Sequence, residues 1–190
     1  DYLHKSLADS KLDNVNIYDC TNQWGVFSIA GPNSRNFLKK IVTSEDPDKT
    51  LSNKEFPWLS YRDIEIGMCP VRALRVAYTG ELGWELHHPI EMQNYLLDIL
   101  LSSGKEFNLK LVGARAQNWL RQEKSYKAFG SDLGRDAGPF ESNLSRFVDI
   151  NKNFLGKDAL LKRKTDVSCV TLLIDGPKDL DPWGREALYN

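Results

Sequence analysis

No stretch of this 190-residue chain is apolar for long enough to cross a bilayer. The most apolar run, near Tyr95 to Leu101, is interrupted by Asp98 and reads as an amphipathic helix. A surplus of positive charge is missing too. Lysine and arginine (25) nearly cancel aspartate and glutamate (26), which argues against a nucleic-acid surface. Cysteine is scarce: Cys20, Cys69 and Cys169 are odd in number, far apart and without Cys-x-x-Cys spacing. That argues against a disulfide framework or a structural zinc site and fits a reducing compartment. His87 and His88 are adjacent in a strand-like stretch, so they point to opposite faces and do not share a metal. No Ser-His-Asp or Cys-His arrangement and no phosphate-cradling glycine motif is recognisable, nor is there a repeat or a low-complexity tract.

What is present is enough sequence for a proper core, as one domain or one domain with an appendage. The chain opens at Asp1, inside a short helix pattern (Tyr2, Leu3, Leu7), and stops after the turn signal Asp181-Pro182-Trp183-Gly184. It reads as a piece of a longer polypeptide. Val15 to Asp19 and Trp24 to Ala30 read as strands around Thr21-Asn22-Gln23. Gly31-Pro32-Asn33-Ser34 opens a helix with apolar face Phe37, Leu38, Ile41 and Val42. Glu45 to Lys54 reads as a charged surface loop, and Arg62 to Ile66 as a short strand. A helix after Pro89 carries the stripe Leu96, Leu97, Leu100 and Leu101, with Gly104 expected as its left-handed cap. A further helix is expected from Gly113 to Lys127, then a glycine-rich loop from Gly130 to Pro139. Phe147 to Ile150 and Ser168 to Ile174 read as strands and Gly156 to Lys164 as a helix. Paired strands with helices between them predict an α+β fold with a mostly antiparallel sheet.

The most informative stretch is Tyr78-Thr79-Gly80-Glu81-Leu82-Gly83-Trp84-Glu85-Leu86-His87. Val71 to Tyr78 has strand composition, Gly80 marks a turn, and Leu82, Trp84 and Leu86 alternate with Gly83, Glu85 and His87. A two-residue loop at Thr79-Gly80 or Gly80-Glu81 makes the numbers of paired positions add to an odd total. Tyr78 and Glu85 then share a face with Leu74 and Val76, while Trp84 and Leu86 take the other. A half-buried carboxylate beside a phenol on an apolar floor calls for a donor-rich ligand or an internal cation. The plain alternative is a solvated glutamate on an outer sheet face.

In the helix after Gly113, Ala116, Trp119, Leu120 and Glu123 gather on one side and Arg121 lies near Asn118 and Ser125. A guanidinium is suited to gripping a carboxylate at two points, although a solvated surface arginine gives the same pattern. Glu123 on the Trp119 side reads as an internal partner for a cation or backbone donors. Asp132, Asp136 and Glu141 have the chemistry for acid/base work, and turn or capping duties account for them as readily.

Five collinear segments carry a resemblance: Ser28-Ile29-Ala30-Gly31-Pro32-Asn33-Ser34-Arg35; Pro70 through His87; Leu120-Arg121-Gln122-Glu123-Lys124 through Gly130; Gly138-Pro139-Phe140-Glu141; and Phe154-Leu155-Gly156-Lys157-Asp158-Ala159-Leu160. Together they resemble the folate-binding domain of the glycine-cleavage aminomethyltransferase (T-protein) family. Trp84 after Gly83 and Glu123-Lys124 after Arg121 tilt the likeness toward the C-terminal folate domain of dimethylglycine and sarcosine dehydrogenases. The resemblance implies a ferredoxin-like α+β region over 1–164 and the beginning of a C-terminal β-domain over 165–190.

It also implies that tetrahydrofolate is the cofactor, with Glu85 pairing with the pterin ring, Tyr78 in the same pocket, and Arg121 as a further anchor. A carboxylate accepts two parallel bonds from a 2-aminopyrimidinone, each worth about 1.5–3 kcal/mol when desolvated. The implied reaction is one-carbon transfer, from a methylated amine or its iminium product delivered by another domain. FAD is expected only outside this chain. The family's acidic catalytic residue falls upstream of Asp1, so no catalytic residue is assigned here and the fragment alone is expected to be inactive. Ser142-Asn143 replaces the family's Ala-Gly after Glu141, and asparagine tolerates the left-handed turn. Gln122 and Phe129 also depart from the pattern. A non-catalytic regulatory or protein-binding module of the same fold is the alternative. No nucleic acid, membrane or metal is expected as a partner, and the expected location is cytoplasmic, or the mitochondrial matrix in a eukaryote.

Overall fold

The computed structural model describes residues 2–10, 12–164 and 166–177. The chain divides into two compact units, one ending at Lys124 and one beginning at Ser125. The division falls inside the first of the two regions drawn from the sequence.

The first unit is built on a four-stranded sheet. Its strands are β1 (Trp24–Ala30), β2 (Tyr61–Ile66), β3 (Cys69–Leu74) and β4 (Gly83–Pro89), in the spatial order β1-β4-β3-β2. Every neighbouring pair is antiparallel, as the α+β reading requires. The helices are α1 (Tyr2–Ser10), α2 (Ser34–Ile41), α3 (Pro47–Thr50), α4 (Gln93–Gly104) and α5 (Ala114–Glu123).

Period-two alternation decides which face of the sheet is dry. Ile64 and Ile66 on β2, Cys69, Val71 and Ala73 on β3, Trp84 and Leu86 on β4, and Ile29 on β1 all turn inward. They pack with Phe37 and Leu38 of α2 and Leu96 and Leu100 of α4. Burying each such aliphatic or aromatic side chain contributes about 1.5–3 kcal/mol. Burial also pushes the Cys69 thiol pKa upward. His88 turns inward as well, opposite in sense to His87. Its Nδ1 donates to the Leu86 carbonyl at 2.9 Å and its ring stacks on Phe27 at 5.0 Å. Gly25 pairs with His88 across the sheet, and a Cβ there would lie 2.6 Å from His88 Nε2. Only glycine fits.

Helix starts follow local chemistry. Ser34 Oγ donates to the carbonyls of Gly31 (2.6 Å) and Leu82 (2.9 Å), which ties the start of α2 to the turn before β4. Within the expected surface loop, Asp46 accepts from the Lys49 N–H at 2.9 Å and Pro47 opens the single turn of α3. Gly104 differs from expectation. It stays right-handed at φ −72°, and the chain turns instead at Asn108, φ 54°, after a 3-10 turn over Lys105–Phe107. Glycine is needed at 104 because Leu109 packs against it: a Cβ would lie 2.7 Å from the Leu109 Cβ.

Two strand expectations in this unit are corrected. Residues 15–19 form no strand; there Asp19 folds onto Thr21, accepting from its N–H (2.9 Å) and hydroxyl (2.5 Å). β3 ends at Leu74 rather than Tyr78; beyond it Arg75 stays bonded to Ser60 and Leu59, just before β2, and the pairing with β4 stops at Leu74 and Glu85.

The second unit is made of turns, a 3-10 turn (Ser145–Phe147) and α6 (Lys157–Lys162). Glu141 organises it. The carboxylate is 3 % exposed and accepts from Arg163 Nε and the Gly138 N–H, both at 2.6 Å. The Arg163 bond, with the backbone donors, holds its carboxyl pKa below the ordinary value. Asn143 takes the left-handed conformation expected of it, φ 58°. The strands expected at Phe147 to Ile150 and Ser168 to Ile174 do not form: these stretches carry no ladder. Most of the β-domain expected from 165 onward lies outside the described residues.

Candidate functional site

The pairing of β3 with β4 sets the site. Arg72 faces His87, Ala73 faces Leu86 and Leu74 faces Glu85, so paired numbers add to the odd total that a Thr79-Gly80 loop requires. Only the register matches. The connection is longer than two residues and runs from 75 to 82. At its start Arg75 keeps to the β2 side: its N–H donates to the Ser60 carbonyl at 2.9 Å and its Nη1 to the Phe56 carbonyl at 2.6 Å. Gly80 carries φ +71° in this turn, and any Cβ there would strike the Lys124 side chain at 2.4 Å.

Glu85 lies on the outer face of the sheet, between Ser28 on β1 and Leu74 on β3. Trp84 and Leu86 lie on the inner face, as the alternation predicts. Thirty-six per cent of the Glu85 side chain is open. Its hydrogen-bond partner among the described residues is His87, whose Nε2 sits 3.2 Å from Oε2. Spacing of two along one strand places the pair on one face, a signal the sequence carried and the reading above passed over. Beyond His87 the outer row continues with Arg72, which faces it from β3. Asp63 on β2 grips Arg72 at two points, Nε to Oδ1 (2.9 Å) and Nη2 to Oδ2 (3.3 Å). That grip lowers the Asp63 pKa and raises that of Arg72.

Tyr78 sits in the long connection and is 40 % exposed. The Arg121 guanidinium lies 6.0 Å from the centre of its ring, a cation–π distance. Arg121 is 3 % exposed, and its Nε donates to Asn118 Oδ1 at 2.7 Å. It is therefore a buried arginine rather than a solvated one. The inward side of α5 is Arg121 with Gln117 and Leu120; Ala116, Trp119 and Glu123 are exposed. The expected stripe of Ala116, Trp119, Leu120 and Glu123 is thus corrected except at Leu120, and Glu123 is not an internal partner. The long arginine stem supplies apolar contact, and its head is held by Asn118 and the Tyr78 ring, which lets it occupy the buried position.

The structure brings Tyr78 and Arg121 together and leaves Glu85 with His87 on the outer face. The expected cleft walled by both acid and phenol is neither of the two hollows that follow. A cleft of about 590 Å³ lies instead on the inward side, lined by Phe27, Thr79, Glu81, Leu97, Leu109 and Leu120 among others. A second hollow of about 480 Å³ is lined by Trp24, Asp63, Glu65, Pro70, Arg72 and Pro89. Neither includes Tyr78, Glu85 or Arg121, because Glu85 points away from the core that the first cleft borders. Among the described residues no group of three metal-ligating side chains converges. None of their helices is long and apolar enough to cross a membrane.

Residues 1–152 match the sequence profile of the GCVT N-terminal domain. Dimethylglycine dehydrogenase from Mus musculus mitochondria is 39 % identical over 183 residues, covering 93 % of this chain and 20 % of that protein. Sarcosine dehydrogenase of the same organism is 31 % identical over 176 residues, covering 91 % of this chain and 19 % of that protein. An aminomethyltransferase from Caldanaerobacter subterraneus subsp. tengcongensis is 33 % identical over 159 residues, with 83 % and 41 % covered. The chain thus spans about a fifth of the length of the dehydrogenases it matches.

Proposed function

Because the chain belongs to the GCVT N-terminal domain family, we propose that it is the tetrahydrofolate-handling part of a one-carbon transfer enzyme of dimethylglycine or sarcosine dehydrogenase type. The observation that supports this most is the state of Glu85. Its carboxylate is more than a third open, has His87 as a weak partner among the described residues, and stands between the uncharged Ser28 and Leu74. Such a group has lone pairs to spare for two parallel N–H donors. The 2-amino and ring N–H groups of a pterin present that pair. Tyr78, partly open, offers a flat polar wall for the same ligand, and Arg121 serves from beneath by holding the Tyr78 ring.

When bound, tetrahydrofolate supplies the nitrogen nucleophile that takes up a one-carbon unit from an iminium or aminomethyl donor. The residues of this chain bind and orient; their contribution is to turn an encounter in water into a preset geometry. The methylated amine and any flavin belong, in this reading, to domains outside this chain. The mitochondrial matrix is the proposed compartment if the parent is eukaryotic, in keeping with the named mitochondrial relatives.

Isothermal titration with tetrahydrofolate tests the reading. The native protein is expected to bind, and Glu85→Gln to bind at least tenfold more weakly, about 1.4 kcal/mol. Equal heats for the two proteins would remove Glu85 from the site. No binding by the native protein would overturn the folate reading and favour a non-catalytic module.

A further inference from the structure

We infer that His87 is a positioning residue for Glu85, fixing its carboxylate for a planar two-donor ligand. This rests on the reading of Glu85 as the pterin anchor. The geometry is local: Nε2 of His87 lies 3.2 Å from Glu85 Oε2, both side chains stand on the outer face of β4, and both are about a third open. A neutral imidazole with its proton on Nε2 donates to one lone pair of Oε2. That leaves Oε1 and the second lone pair of Oε2 directed outward, the set a 2-aminopyrimidinone edge needs. It also removes rotational freedom from the carboxylate before the ligand arrives, so less ordering remains to be done on binding.

Among the described strands, Arg72 of β3 stands directly opposite His87, with its charge already engaged by Asp63 of β2. From β1, the facing residues are Val26 and Ser28, which carry no charge. His87 is thus the neighbour on this face that meets the Glu85 carboxylate. Glutamine at 87 keeps an N–H donor, and leucine has none.

The test is tetrahydrofolate affinity, measured by titration calorimetry, for the native protein, His87→Gln, His87→Leu and Glu85→Gln. His87→Gln is expected to stay close to native, and His87→Leu to bind about tenfold more weakly. Native affinity in His87→Leu, or an equal loss in His87→Gln and His87→Leu, overturns this inference and leaves Glu85 as anchor. Unchanged binding by Glu85→Gln, or none by the native protein, overturns the pterin-anchor reading and this inference with it.

Discussion

Glu85 and Glu141 are both acids that the sequence offers for chemistry, yet the structure uses them in opposite ways. Glu141 is closed: 3 % exposed, one oxygen on Arg163 Nε and the other on the Gly138 N–H, each at 2.6 Å. Glu85 is open: 36 % of its side chain reaches solvent, and its partner among the described residues is a histidine nitrogen at 3.2 Å. A carboxylate whose lone pairs are filled by fixed donors is part of the framework. One left with vacant lone pairs on an outward sheet face has something to offer a ligand. The same residue type therefore divides by hydrogen-bond occupancy, and occupancy is set by neighbours distant in sequence, such as Arg163.

Several measurements sharpen or break that contrast. The largest effect is expected from Glu141→Gln, which leaves Arg163 facing a neutral amide at a buried position. The melting temperature should fall by several degrees in a thermal melt, while Glu85→Gln should change stability by no more than about 0.5 kcal/mol. Equal destabilisation by the two variants would erase the distinction. Next is the response to acid. The Glu141 carboxyl sits below its ordinary value of 4.5, so its contribution is fully present above that value. It is lost as the pH falls through the depressed folded value, because the unfolded chain binds the proton first. The acid limb of a stability–pH curve should be shallower for Glu141→Gln than for the native protein. Smaller again is Arg121→Lys, which keeps the charge but forfeits the Nε bond to Asn118. About 1 kcal/mol of stability and a several-fold loss of tetrahydrofolate affinity are expected, seen in denaturant melts and calorimetry. Asp63→Asn should produce no measurable change in melting temperature, since its pair with Arg72 is solvent-screened.

Much of this contrast was legible in the sequence, and the limits are instructive. Alternation in Leu82 to His87 correctly separated Trp84 and Leu86 from Glu85, and the odd-total register held at Leu74 and Glu85. The left-handed turn at Asn143 was readable because so few side chains tolerate that conformation. Where β3 ends was not readable, because the partners that hold Arg75 on the β2 side, Ser60, Leu59 and Phe56, are distant in sequence. Val15 to Asp19 has strand composition, but composition does not reveal whether a neighbouring strand is available. The orientation of α5 was misjudged for a similar reason. Trp119 was the natural candidate for burial by hydrophobicity, whereas the buried position belongs to Arg121, whose head finds Asn118 and Tyr78. Pair-specific satisfaction of a polar group overrode the apolar pattern.

The most direct check is a crystal structure of the protein with tetrahydrofolate bound. The account predicts the pterin 2-amino and ring N–H groups within hydrogen-bond distance of the two Glu85 oxygens, with Tyr78 against the ring. A pterin seated instead in the inward cleft between Phe27 and Leu120, with Glu85 still held by His87 alone, would contradict it.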